Sequence, residues 1–265
     1  MGITCQGIGL DYATRTGPLR ALDGVDLDLA DNQIVCLVGP SGCGKSSLLK
    51  IMAGLIEPTE GRLAVDLEPH PDRLERALVF QDHCVFPWMS VLDNVAFGLE
   101  WSQRSKPEKL GLARRFIEQV GLVDFAGSYP RELSVGMRQR VSLARAFVAE
   151  PQILLMDEPF ASLDALTKLV LQEELLRIWE NHRSLIVYVT HDLAEAILLG
   201  DRVLVMSGRP GVILEDLSID LRRPRNLSDR RRPEIAEIEQ HLWSVLEKDV
   251  RRILERSDNG SAPAP

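Results

Sequence analysis

Five apolar residues in succession, Ile34-Val35-Cys36-Leu37-Val38, give way at once to Gly39-Pro40-Ser41-Gly42-Cys43-Gly44-Lys45-Ser46. An unbroken run of this length suits a strand covered on both faces, the situation of a parallel sheet flanked by helices. Runs of the same kind recur at residues 77–80, 153–156, 185–189 and 203–206, with helical stretches between them. Strands alternating with helices predict a doubly wound α/β core. Two earlier segments, 3–12 and 25–29, alternate apolar and polar residues and predict half-buried antiparallel strands ahead of that core. Between 86 and 148 the strand signals fade, while 110–120 and 137–148 show helical spacing, so a helical subdomain is expected at about 86–148, inserted into the core. With 265 residues, 45% of them apolar, the chain can bury an interior of that size.

The turn after the first run fits the pattern GxxxxGK[ST] between a strand and a helix. Its glycines let the backbone wrap around an anion with amides inward, and the helix continuing through Ser47 adds its partial positive end. Gly39, Pro40, Ser41, Gly42, Cys43, Gly44, Lys45, Ser46 and Ser47 are therefore candidate nucleotide-binding residues. Lys45 is expected to reach the outer phosphates and Ser46 to give its hydroxyl to Mg²⁺. The run at 153–156 ends in Asp157-Glu158. Asp157 is placed to hold the same Mg²⁺, and divergence of successive strand side chains should turn Glu158 toward an attacking water as general base.

Composition narrows the alternatives. The charge of 31 Lys and Arg against 39 Asp and Glu, −8 in all, argues against a nucleic-acid partner held by bulk electrostatics. Cys5, Cys36, Cys43 and Cys84 have neither disulfide-framework nor zinc-site spacing and read as ordinary thiols. Cys43 stands apart, since the surrounding loop amides would lower its pKa. No run reaches the roughly 18 to 20 apolar residues of a membrane span, so a cytosolic protein is expected, one that can sit on a membrane.

Leu133-Ser134-Val135-Gly136-Met137 resembles the LSGGQ signature of ATP-binding cassette proteins, with Val135 in place of the first glycine. An ordinary serine N-cap also accounts for Ser134 by itself. Other motifs similar to that family follow in order from Tyr12 to Met206. Gln81 is similar to the glutamine that senses Mg²⁺, Asp164 to the aspartate of the loop crossing the dimer interface, and His191 to the switch histidine that contacts the γ-phosphate. Tyr12 falls where the family stacks a ring on adenine; a core tyrosine is the other reading. The resemblance implies a P-loop NTPase core with an N-terminal antiparallel β subdomain and an inserted helical subdomain. It also implies ATP and Mg²⁺ as ligands and a second copy whose Ser134 and Gly136 close on the first copy's nucleotide. Catalysis would then rest on Glu158, His191, Gln81 and Lys45, and the metal on Ser46, Gln81 and Asp157.

The segments at 86–95 and 206–211, with the basic segment at 222–225, resemble the nitrate, sulfonate and taurine importer group. The partners implied are a multi-span membrane permease, whose short cytoplasmic helix docks near Gln81 and residues 86–95, and indirectly an extracytoplasmic solute-binding protein. That places the chain at the cytoplasmic face of the inner membrane. Phe86, Pro87 and Trp88 stand either as the apolar wall of that groove or as buried packing. Residues 1–215 are read as the ATPase domain and 216–265 as an extension with one amphipathic helix and a frayed tail at 257–265. A second functional reading is a non-transport ATPase whose basic stretch, 222–232, touches RNA or a soluble protein; a solvated basic loop is the plain alternative.

Overall fold

The computed structural model describes residues 2–15, 17–70, 73–81 and 84–259. In chain order the strands are β1 (Gly2–Thr14), β2 (Gly17–Ala30), β3 (Ile34–Val38), β4 (Glu60–Asp66), β5 (Arg76–Val79), β6 (Ile153–Asp157), β7 (Leu185–Val189), β8 (Arg202–Met206) and β9 (Ile213–Ser218). The helices are α1 (Lys45–Met52), α2 (Val91–Phe97), α3 (Lys106–Gln119), α4 (Val135–Phe147), α5 (Ala165–His182), α6 (Leu193–Leu199) and α7 (Pro233–Asn259).

The five apolar runs form one sheet in the order β5-β6-β7-β3-β8, all parallel, with β9 added antiparallel at the β8 edge. Alternate side chains of each run enter different cores. Ile34, Cys36, Val38, Leu154, Met156, Ile186, Tyr188, Val203 and Val205 pack with the helices α2 to α7. Val35, Leu37, Ile153, Leu155, Leu185, Val187, Leu204 and Met206 pack with α1 and a three-stranded antiparallel sheet, β2-β1-β4. Burial on both faces is why these strands read as unbroken apolar runs.

The structure departs from the sequence expectations in four places. In β1 the buried positions run Ile3, Cys5, Ile8, Leu10, because the register slips between Cys5 and Ile8 at Gly7, φ +58. A bulge with glycine in the left-handed region resets the alternation by one residue. Secondly, β4, β9 and α2 were not legible. Strands β4 and β9 are edge strands whose inward residues are only half buried, and α2, at seven residues, spans too few turns for periodicity to speak. Thirdly, α7 continues through residues 257–259 of the expected tail; residues 260–265 lie outside the described ones.

The fourth departure is the basic segment, whose key arginines are structural. Arg225 is 5% exposed and donates to the carbonyls of Ile197, Leu198, Gly200, Ile219 and Leu221. Three of these lie at the C-terminal end of α6, where a cation meets orphan carbonyls and the negative end of the helix dipole. Arg223 donates to Asp201 and the Leu199 carbonyl and lies 4.3 Å over the Trp179 ring. Burial, then the neighbouring Arg223 charge, pulls the Arg225 guanidinium down to about 10, still charged at neutral pH.

Arg225→Ala strands those carbonyls in a dry site and should lower the unfolding free energy by roughly 2–4 kcal/mol in urea titrations. Arg222→Ala, at an exposed position, should change it by less than about 0.5 kcal/mol.

Candidate functional site

Parallel strands end together, and every parallel strand of this sheet delivers a polar residue just beyond its carboxyl end. Gln81 follows β5, the glycine-rich loop follows β3, Asp157 and Glu158 close β6, His191 follows β7 and Arg209 follows β8. The crevice outside such strand ends is where open α/β sheets bind ligands. A cleft of about 410 Å³ lies there. Tyr12, Leu19 and Ala21 line one side and Ser41, Gly42, Gly44, Lys45, Ser46 and Ser47 the floor, while Gln81, Glu158 and Arg209 complete it.

The loop's geometry follows from its glycines and its lysine. Gly44 caps α1 at φ +110, with Leu22 Cδ2 at 2.7 Å and the Ala21 carbonyl oxygen at 2.9 Å from where a Cβ would sit. No other residue fits there without strain. No side chain caps α1, which leaves its first amide groups and partial positive charge to the loop. Lys45 is 6% exposed and donates to the carbonyls of Gly39 and Pro40 at 2.8 and 2.9 Å, which fixes its ammonium inside the loop. Cys43 corrects an expectation. It is 1% exposed, and burial pushes its thiol up more than Lys45 and the loop hydrogen bonds pull it down. It is an inert packed thiol.

Ser46 donates its hydroxyl to Asp157 Oδ1 at 2.9 Å, across 111 residues of sequence. Burial pushes the Asp157 carboxyl above its ordinary value, against the Ser46 hydrogen bond and with the Glu158 charge adding to the rise. Two hard oxygen donors, one a carboxylate whose charge is costly as it stands, fit a small divalent cation. Glu158 diverges from Asp157 because it leaves the strand altogether: its φ is +43, in the left-handed region, and its N–H bonds the Val189 carbonyl at 3.1 Å. Strand alternation is not the cause. Such a conformation in a non-glycine residue costs on the order of 1 kcal/mol and is typical of functional positions. Glu158 Oε2 lies 3.0 Å from His191 Nδ1, so the ends of β6 and β7 meet at the rim. The Tyr12 hydroxyl lies 3.0 Å from Ser47 Oγ, and its ring, 39% exposed, borders the cleft and is not core.

The remaining candidates lie elsewhere. Ser134, Gly136 and Asp164 do not line this cleft. Ser134 caps α4 by accepting from the Met137 amide, and Asp164 caps α5 by accepting from the Thr167 amide and hydroxyl. A Cβ on Gly136 would come within 3.0 Å of Thr167 Cγ2, so that glycine lets α4 sit against the start of α5. Val135 is exposed beside it.

Sequence reading missed a buried network behind His191. Glu195, 2% exposed, accepts from Tyr188 Oη and Gln172 Nε2 on one oxygen, each at 2.8 Å. Its other oxygen takes Thr190 Oγ1 and Lys168 Nζ. Lys168 also pairs with Asp192 at 3.0 Å. Burial lowers the Lys168 pKa, yet the two carboxylates outweigh it and the net shift is upward. This ties the His191 loop to α5. The only hint in the sequence was a glutamate on an otherwise apolar helix. Arg209, within the segment 206–211, was also missed as a site residue, because nothing local to an arginine on a loop tells which cleft the loop reaches.

The family model described as ABC transporter matches residues 22–161. An uncharacterised ABC transporter ATP-binding protein of Methanocaldococcus jannaschii is 45% identical over 237 residues, 89% of this chain and 88% of the relative. The nitrate import ATP-binding protein NrtD of Synechocystis is 40% identical, over 89% of this chain and 91% of its own. Among solved structures, a dimeric ATP-binding cassette in a post-hydrolysis state, bound to ADP and Pi, superposes with a TM-score of 0.72 at 28% identity. It covers 83% of this chain and 100% of its own.

Asp157 has a raised pKa, so its ionised form costs folding free energy above that pKa and the cost vanishes once the group is protonated in both states. Asp157→Asn should therefore melt at a higher temperature than wild type at about pH 8 without nucleotide. The gap should close as pH falls toward about 4, as read by calorimetry.

Proposed function

The chain belongs to the ABC transporter family, and from that premise we propose that it is the ATP-hydrolysing subunit of an importer for a small anion of the nitrate, sulfonate or taurine type. The observation that carries the reading is the meeting of Glu158 and His191 beside the Ser46–Asp157 hydrogen bond, at the rim of a glycine-rich loop. The relative that imports nitrate and the resemblance at 86–95 and 206–211 support the solute class.

In this reading ATP enters the cleft with its adenine on Tyr12 and its phosphates on the amides of residues 39–47 and on Lys45. Ser46, Asp157 and Gln81 would hold Mg²⁺, which when bound neutralises phosphate charge. Glu158 orients the attacking water and takes its proton, and His191, already bonded to Glu158, contacts the γ-phosphate. Ser134, Gly136 and Asp164 lie off the cleft, so a second copy supplies them to each nucleotide. The dimeric state of the solved neighbour supports that arrangement.

The partners that follow are a membrane permease and, through it, a solute-binding protein, with the chain peripheral at the cytoplasmic face of the inner membrane. No helix among the described residues is long and apolar enough to span a membrane. The surface proposed for the permease helix carries Trp88, 69% exposed, beside Phe86 and Phe97, whose rings pack edge to face at 4.7 Å. Phe86 is half-buried there, whereas Pro87 and Trp88 are exposed. The RNA-binding alternative is weakened because Arg223 and Arg225 are spent on the fold.

Glu158→Gln keeps the shape and removes the base. Steady-state ATPase should fall at least about a hundredfold, and MgATP should trap dimers visible by light scattering; unchanged turnover would refute the role of Glu158. Val135→Gly should shift the ATP concentration for dimerisation by less than about tenfold, some 1.4 kcal/mol.

A further inference from the structure

The loop after β8 carries Arg209 to the cleft, and it is fixed on three sides. Toward the antiparallel sheet, the Gly211 amide donates to the Ala21 carbonyl at 2.9 Å and the Asp23 amide to the Gly211 carbonyl at 3.1 Å. Toward the glycine-rich loop, a Cβ on Gly211 would fall 2.2 Å from the Cys43 carbonyl oxygen, a separation only glycine allows. Within the loop, Ser207 Oγ accepts from the Val212 amide and lies in donor range of the Gly208 and Pro210 carbonyls. The third side is the C-terminal helix. Asp249 of α7 accepts the buried Gly208 amide at 2.7 Å, one residue before Arg209.

Arg209 itself is exposed and lines the cleft with Lys45, Ser46 and Glu158. Among the described residues its guanidinium has no hydrogen bond, ion pair or ring contact. The neighbouring cation, Lys45, already serves the Gly39 and Pro40 carbonyls. The braced loop fixes the Arg209 backbone at the cleft, its unpaired guanidinium is available to an anion, and its planar donors match phosphate oxygens.

We infer that Arg209 is a nucleotide-binding residue that contacts the phosphate chain, and that Asp249 is the positioning residue that holds it there. The C-terminal helix thereby sets nucleotide affinity. The inference rests on the ATP reading of the cleft and adds a ligand from outside the matched residues 22–161. It also connects the C-terminal extension to the cleft, because displacement of α7 releases the Gly208 amide and loosens Arg209.

The test is calorimetric titration of the full chain with ATP, with adenosine measured by displacement. Arg209→Gln should weaken ATP about tenfold and leave adenosine unchanged. Asp249→Ala should weaken ATP about threefold in the wild-type background and not at all in the Arg209→Gln background, a cycle that removes any general loss of stability. Wild-type affinity for ATP in Arg209→Gln, an equal loss for adenosine, or the same Asp249→Ala effect in both backgrounds would overturn the inference. Absence of ATP binding by the wild-type chain would overturn the nucleotide reading along with it.

Discussion

The site depends on one constraint, the burial of β3 on both faces and its pairing on both edges. Because β3 lies between β7 and β8 in parallel register, Val38 and Val189 end at the same edge of the sheet and Met206 ends beside them. The pairing of β6 with β7 brings Asp157 opposite Val189. A one-residue slip would exchange the inward faces of a strand, and here both faces are core, so the penalty falls on shape instead of polarity. Side chains of different size, such as Tyr188 against Cys36, hold the register through packing.

That edge is also where local order is costly. Glu158 sits in a left-handed conformation, Gly44 and Gly211 admit no side chain, and Asp157 carries a charge its surroundings disfavour. The rigid interior overdetermines these positions. The two cores supply that rigidity from opposite sides, one through α1 and the antiparallel sheet, the other through α5, α6 and α7.

Much of this was legible in the sequence, for identifiable reasons. Continuous apolar runs marked the parallel strands because two-sided burial leaves no polar face, and the loop chemistry is local in sequence, so Lys45 and Ser46 could be assigned from spacing. Features that depend on tertiary placement were not legible. The Gly7 bulge hides in an apparently regular alternation, β4 and β9 are too exposed to show a pattern, and Arg225 reads as a solvated charge until its five carbonyls are brought together. Cys43 was misread because sequence places it among amides but cannot say that the chain covers it. Arg209 enters the site through a loop whose position is set by a helix some forty residues later.

Glu195 illustrates a different kind of consequence. Its two oxygens take four donors, from Tyr188, Gln172, Thr190 and Lys168, which is about the full capacity of a carboxylate. Loss of Glu195 leaves Tyr188 Oη and Gln172 Nε2 without their acceptor in a buried site. Replacing Glu195 alone is therefore costlier than replacing the whole set by apolar groups of like shape. The histidine loop and the helix after Asp164 thereby share one buried carboxylate as their common anchor.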